Sequence, residues 1–413
     1  MQKYPTYKPS NIDWIGEIPS NWSVSKLRFV TNEVQTGTTP PTDNEEYFES
    51  GDFNWFTPAD FSSESVKLND SKRKITELAV KDGKVKVFPK SSVLMVGIGA
   101  TLGKIGIVNY PCSSNQQINA IVFNEKIKPY FGALFLFTNS VNIVSLANFA
   151  TLPILNQSQT KDIPIVIPSL SEQQAIVTYL DEKTTLIDEL IAKKERKIEL
   201  LKEQRAALIN QAVTKGLDEN VSMKDSGLVD IGLIPSHWQM KKIKYVGILK
   251  SGDSITSEEI DYESSYPVYG GNGFRGFCDK YNYEGHYVLI GRQGALCGNI
   301  NYAKGKFWAS EHAVVITMIK EDETIWLGEL LRKMNLNQYS QSAAQPGLAV
   351  DKIKNLSIPV PPLSEQQAIV AYLDEQTALI DKNIELESQK ISTLKEYRQS
   401  LISNVVTGKI CVA

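Results

Sequence analysis

The sequence predicts an α+β chain in which two β-rich domains are separated by two long helices that form an antiparallel coiled coil, arranged as an internal pseudo-two-fold repeat. Three observations predict it. A 14-residue block recurs almost unchanged 193 positions later, each block opens an uninterrupted run of 3-4-spaced apolar residues, and each is preceded by a long stretch of short β-prone segments.

The repeat comes first because it sets the organisation. PSLSEQQAIVTYLD (Pro168 to Asp181) returns as PPLSEQQAIVAYLD (Pro361 to Asp374). The likeness continues through Ile187, Ile198, Leu201, Arg205 and Leu208, matched by Ile380, Ile391, Leu394, Arg398 and Leu401. A shorter echo opens each half, where Ile15, Gly16, Ile18, Pro19, Ser20 and Trp22 match Ile231, Gly232, Ile234, Pro235, Ser236 and Trp238. Between these lies a third, VLMVGIGATLGKI (Val93 to Ile105) against VLIGRQGALCGNI (Val288 to Ile300). Two copies at so long a period make a duplicated two-part protein, not a solenoid, which stacks several short units.

Helix-start chemistry marks both blocks: Pro168, Pro361 and Pro362 stop any earlier helix, and Ser171 with Gln174, or Ser364 with Gln367, has the spacing of a capping box. From there Thr184, Ile187, Ile191, Lys194, Ile198, Leu201, Arg205, Leu208 and Ala212 keep 3-4 spacing, as do Thr377, Ile380, Ile384, Glu387, Ile391, Leu394, Arg398, Leu401 and Val405. Neither Gly nor Pro interrupts these runs before Gly216 or Gly408, so each helix can approach about 40 residues, roughly 60 Å. A lone amphipathic helix is marginal in water, and pairing the two copies antiparallel satisfies both; separate helices, each lying on its own domain, are the alternative. Arg205, Arg398, Lys194 and Glu387 are charged seam positions, which fits register control or snorkelling at a wet seam.

The stretches of about 14–165 and 230–358 are rich in Gly, Asn and aromatic residues. Strands are expected at Val93 to Val96, Ile118 to Phe123, Tyr287 to Ile290 and Ala313 to Ile319, with short helices around Ile75 to Lys81, Tyr130 to Asn139 and Ile325 to Asn335. GIGATLGKI (Gly97 to Ile105) has the composition of a phosphate loop but not its spacing: Gly99 and Gly103 enclose three residues, and Ile105, not Ser or Thr, follows Lys104. Because glycines recur at Gly294 and Gly298, tight turns between strands are the expectation.

Composition excludes several classes. The net charge of −3 and a pI near 5.9 argue against holding nucleic acid by bulk charge alone. Residues 1–165 nevertheless carry 16 basic against 15 acidic groups, so a local basic face is compatible with the sequence. Cys112, Cys278, Cys297 and Cys411 lie far apart without a CxxC pair, and His237, His286 and His312 lack zinc spacing, so neither a disulfide framework nor a metal is expected. Met1 to Trp14 has no apolar core and the apolar run Phe131 to Phe137 is too short for a bilayer, so the expected compartment is a reducing cytoplasm. Neither Pro40-Pro41 nor Pro361-Pro362 is followed by the aromatic that an amino-methyltransferase uses to stack a flipped base, and no nucleophile, base or metal set stands out.

PSLSEQQ and PPLSEQQ opening long helices, with DWIGEIPSNW and DIGLIPSHW opening the halves, resemble the specificity subunit of type I restriction-modification systems over nearly the whole chain. The resemblance implies two target-recognition domains, 1–167 and 217–360, and two conserved helical spacers, 168–216 and 361–413. It implies that each recognition domain reads half of a split site in double-stranded DNA while the helices set the spacing. Two methyltransferase subunits would dock on the scaffold and carry the S-adenosylmethionine for adenine N6 methylation, and translocase-nuclease restriction subunits would join through them. No cofactor and no catalysis are then expected in this chain.

Candidate DNA contacts are Lys72, Arg73, Lys74, Gln116 and Gln117 in the first domain and Asn272, Arg275, Arg292, Gln293, Lys304 and Lys306 in the second. Candidate coiled-coil and partner positions are Ile187, Ile198, Leu201, Arg205, Leu208, Ile380, Ile391, Leu394, Arg398 and Leu401. Gln116 and Gln117 align with Glu311 and His312, so equivalent places are expected to read different bases. Three rivals stay open: an interaction scaffold that never meets DNA, a free-standing DNA-binding regulator, for which no helix-turn-helix is evident, and a bifunctional methyltransferase, which would itself bind S-adenosylmethionine.

Overall fold

The computed structural model describes residues 2–149, 153–294, 296–320, 323–340 and 347–412. Two compact units result, the first made of Met1–Lys194 with Gln389–Ala413 and the second of Glu195–Ser388. Each unit therefore contains one β-rich domain and one half of each long helix.

The first unit is built on a five-stranded sheet with the order Thr31–Thr36, Ile118–Phe123, Val93–Val96, Ile105–Val108, Lys67–Leu68, antiparallel except for the last pair. All four residues of Val93–Val96 are buried because alternate side chains enter different cores: Val93 and Met95 join the core that reaches the long helices, Leu94 and Val96 a core on the opposite face. The helix Pro129–Thr138, apolar all round, covers the first face with Phe131, Leu134 and Phe135. A small sheet of Ser113–Ser114, Phe53–Phe56 and Lys74–Ile75 stands beside it.

The second unit repeats this plan. Its six-stranded sheet runs Gly247–Ser251, Ala313–Met318, Tyr283–Gly291, Ile300–Ala309, Tyr266–Gly270, Gly273–Cys278, and the first four strands correspond one by one to those of the first unit. Alternation recurs, with Val288 and Ile290 in one core and Leu289 in another. The helix Thr324–Lys333 takes the place of Pro129–Thr138. The expected helix at Ile75 begins two residues later, at Glu77, because the fully buried Ile75 is spent in a strand against Phe53. The glycine-rich segments are strand-to-strand turns, with Gly99 at φ +97° and Gly294 at φ +85°.

The long helices span Leu170–Lys215 and Leu363–Val406, 46 and 44 residues. Their start differs from the expected capping boxes at Ser171 and Ser364. Helix begins immediately after Ser169, whose Oγ accepts from the Glu172 N–H at 3.2 Å while the Glu172 carboxylate accepts from the Ser169 N–H at 3.2 Å. Gln174 turns away to Thr178. In the second copy Pro362 stands at the cap and offers no side-chain acceptor, while Ser364 and Gln367 are exposed.

The repeated Glu and the first Gln instead clamp each helix to its domain. Glu172 accepts from the indole N–H of fully buried Trp22 at 3.1 Å, and Glu365 from that of Trp238 at 2.7 Å. Burial pushes the Glu172 carboxyl upward, but hydrogen bonds from Trp22, Ser169 and Asn21 outweigh it and hold the group below its ordinary value. Gln173, wholly buried, accepts from the Lys128 N–H at 2.7 Å and donates to the Lys126 and Pro168 carbonyls. Gln366 does the same between the Glu323 N–H and the Pro361 carbonyl.

Within each unit the helix halves run antiparallel. In the first, Ile176, Leu180, Ile187 and Ile191 share a core with Leu401, Ile402, Val405 and Val406, and Arg398 Nε meets Asp188 at 2.8 Å. In the second, Ile209, Ala212 and Val213 share a core with Ile369 and Leu373, and Arg205 Nε meets Asp381 at 2.9 Å. The two ion pairs are equivalent under the repeat. Glu387, only 5% exposed, is a buried charge that needs a partner, and Lys197 supplies one at 3.0 Å.

Replacing Gln173 by Ala leaves three backbone groups without their partner, one buried and two part-buried, whereas Gln174 is exposed and bonds Thr178 of its own helix. Chemical denaturation should show Gln173→Ala less stable by about 1–3 kcal/mol, with Gln174→Ala close to wild type.

Candidate nucleic-acid interface

Each unit carries a polar cleft at the same place in its sheet. In the first, the Gly97 N–H donates to the Gln117 carbonyl at 2.7 Å and the Leu155 N–H to the Gly97 carbonyl at 2.8 Å. In the second, the Arg292 N–H donates to the His312 carbonyl at 3.0 Å and the Leu348 N–H to the Arg292 carbonyl at 2.9 Å. The same two bonds thus bring a turn, a strand start and a later loop together in both units. Gly37 and Gly252 sit at equivalent close approaches: a Cβ would lie 2.3 Å from the Ser114 carbonyl oxygen in one and 2.0 Å from that of Ala309 in the other.

Side chains on this shared frame differ. Thr36, Gln116, Gln117, Asn119 and Gln157 line the first cleft, of about 380 Å³. Thr39 Oγ1 donates to Gln116 Oε1, and Asn115 Nδ2 donates to Gln117 Oε1 at 2.9 Å. The second cleft, about 760 Å³, is lined by Asn272, Arg275, Gln293, Glu311 and His312. First is a neutral set of amides and hydroxyls; second is a charged one.

The remaining candidates fall elsewhere. Lys72, Arg73 and Lys74 lie around the small sheet, where the Arg73 guanidinium stacks at 5.3 Å from the rings of both Phe48 and Trp55 and Lys74 pairs with Asp70 at 3.1 Å. Trp55 Nε1 donates to the Thr38 carbonyl, so this group adjoins the Thr39–Gln116 contact of the cleft. Lys72 is exposed, and its N–H donates to Asp60. Arg292 faces inward, with Nη1 on Ser251 Oγ at 3.0 Å, beneath the cleft that its neighbour Gln293 lines.

Lys304 and Lys306 project from the hairpin Tyr283–Gly291 with Ile300–Ala309, opposite His286 and Glu284, and do not line the cleft. Glu284 and Tyr281 raise the Lys306 ammonium above its usual range, and Lys306 also sits 4.7 Å from the Tyr281 ring. Burial, with the charge of Lys304, lowers His286.

Sequence reasoning did not select Glu311 and His312, although their alignment with Gln116 and Gln117 was the signal that could have found them. Among the described residues no group of three or more His, Cys, Asp or Glu could hold a metal ion, and no helix is long and apolar enough to cross a membrane.

Comparison with known proteins follows the same division of the chain. The family model of the type I restriction modification DNA specificity domain matches twice, over residues 19–200 and 235–396. The chain is 32% identical to the type I restriction enzyme EcoprrI specificity subunit of Escherichia coli over 87% of its own length and 88% of that protein's. It is 28% identical to the MjaIX specificity subunit of Methanocaldococcus jannaschii over 96% and 95%. In fold it is similar to a chain from a structure of type I R-M complex assembly, with a TM-score of 0.73 at 18% identity over 95% of this chain and 99% of that one. It is likewise similar to the HsdS subunit of Thermoanaerobacter tengcongensis, with a TM-score of 0.59 at 18% identity over 95% and 98%.

The common frame of the clefts makes a steric prediction. At Gly252 any Cβ meets backbone, while at Gly294 nothing among the described residues lies within 4 Å and the positive φ is what resists substitution. Gly252→Ala should lower stability by about 3 kcal/mol, Gly294→Ala by about 1–2 kcal/mol, read as thermal or denaturant midpoints of the two variants.

Proposed function

The chain belongs to the type I restriction-modification specificity subunits, and from that premise we propose that each of its two units reads one half of a bipartite DNA site through its cleft. The observation that carries this reading is the pair of equivalent clefts, built on the same two backbone hydrogen bonds and different in side-chain chemistry. A frame used twice presents side chains to the same kind of ligand, and different side chains on it select different sequences. The major groove is where base pairs are distinguishable, and amides, carboxylates and guanidinium groups are the side chains that distinguish them there. Lys72, Arg73, Lys304 and Lys306, outside the clefts, suit phosphate contacts that fix register without reading sequence.

The long helices in this reading set the spacing of the half-sites and dock two adenine-N6 methyltransferase subunits, which carry the S-adenosylmethionine, with restriction subunits joining through them. One feature supports docking, and it lies outside the seam. Arg205 and Arg398 are engaged with Asp381 and Asp188, so the charged seam positions serve helix pairing. Outside the seam, Leu186 and Leu379 occupy equivalent positions and are 53% and 52% exposed, which suits a partner present in two copies. In this reading the chain carries no catalysis of its own and works beside the DNA, in the cytoplasm.

Co-expression with methyltransferase subunits and single-molecule mapping of N6-methyladenine across the host genome tests the reading. A split motif should appear and vanish when this chain is omitted. A stable complex that imposes no motif would contradict it and favour a scaffold that does not read DNA.

A further inference from the structure

Resting on the DNA-reading function just proposed, we infer that Arg275 and Glu311 commit the half-site of the second unit to a G·C base pair, Arg275 donating to guanine and Glu311 accepting from cytosine N4. Glu311 Oε1 lies 3.2 Å from His312 Nε2. The other oxygen, Glu311 Oε2, and His312 Nδ1 are shielded from water and have no hydrogen-bond partner among the described residues. Those two atoms are turned to the protein, while the side chains as wholes are 41% and 42% exposed and line the cleft with Arg275, so the open face of the carboxylate is what meets a donor entering there.

Arg275 reaches the same cleft over a glycine. A Cβ on Gly270 would lie 2.5 Å from Arg275 Cδ and 3.6 Å from the hydroxyl of Ser310, the residue before Glu311. Bare backbone at Gly270 therefore lets the arginine stem lie flat and carry its guanidinium along the cleft wall.

The chemistry of the pair is selective. An ionised carboxylate only accepts, so it is compatible with an exocyclic amino group and repels the carbonyl and ring-nitrogen acceptors of other base edges. A guanidinium only donates, and its fork needs two adjacent acceptors, which in the major groove guanine O6 and N7 provide. A G·C pair presents both requirements side by side. In the first unit the positions equivalent to Glu311 and His312 are Gln116 and Gln117, whose amide oxygens already accept from Thr39 and Asn115. The charged reading belongs to the second half-site alone.

The test uses the full complex with its methyltransferase subunits and maps methylated adenines for the wild-type chain, Glu311→Gln, Arg275→Lys and Gln116→Ala. The wild-type motif should contain one half-site with a fixed G·C pair. Glu311→Gln and Arg275→Lys should each relax discrimination at that pair by about 10- to 100-fold and leave the other half-site unchanged. Gln116→Ala should relax only the other half. A split motif that either keeps its G·C preference in both charged variants or has only A·T pairs in the half they affect would overturn this inference and leave the DNA-reading function standing. A wild-type complex that methylates no split motif would overturn both.

Discussion

A hydrogen bond from a buried indole to a carboxylate at the start of a long helix is the constraint on which the rest depends. Trp22 and Trp238 are fully buried, and an indole N–H taken out of water must find an acceptor. Glu172 and Glu365 supply it from the first turn of the helices. That bond fixes where each helix leaves its domain, and the neighbouring Gln173 and Gln366 fix its rotation by satisfying backbone groups of the domain. Domain and helix are thus joined through hydrogen bonds between specific polar groups, which makes the joint directional in a way that apolar packing alone is not.

Each tryptophan also receives the end of a helix. Gly408, at φ +76°, ends the second long helix where a Cβ would lie 3.0 Å from the Trp22 ring, and Gly216, at φ +71°, ends the first where a Cβ would lie 3.3 Å from Trp238. The first unit accordingly includes the segment after Gly408, with the Cys411 N–H donating to the Gln2 carbonyl. One duplicated junction, used at Trp22 and again at Trp238, explains why LSEQQ and IPSxW are the most similar parts of the two halves. Between these fixed points the β-rich domains are free to differ, and their clefts do.

Much of this was legible in the sequence because it rests on local periodicity and on repetition. The 3-4 spacing gave the long helices and their seam, alternation gave the central strands, and failed motif spacing correctly turned GIGATLGKI into a turn. What was not legible depends on distant residues. Ser171 and Gln174 have capping-box spacing, yet Ser169 with Glu172 forms the box, because the carboxylate is placed by Trp22, about 150 positions away in sequence. Arg292, a candidate DNA contact in the sequence, turns inward to Ser251. Glu311 and His312 gave no local signal of their own; only their position on a frame shared with Gln116 and Gln117 brings them into the site.

The central claim is that two separately composed units read DNA through a common frame. Its most direct measurement exchanges residues 23–167, between Trp22 and the helix start, for the corresponding stretch of another specificity subunit with a different motif, and maps adenine methylation by the resulting complex. The account predicts that one half of the motif becomes that of the donor, while the other half and the number of bases between them stay as they were. A change in both halves, or a motif that does not respond to the exchange, would contradict it.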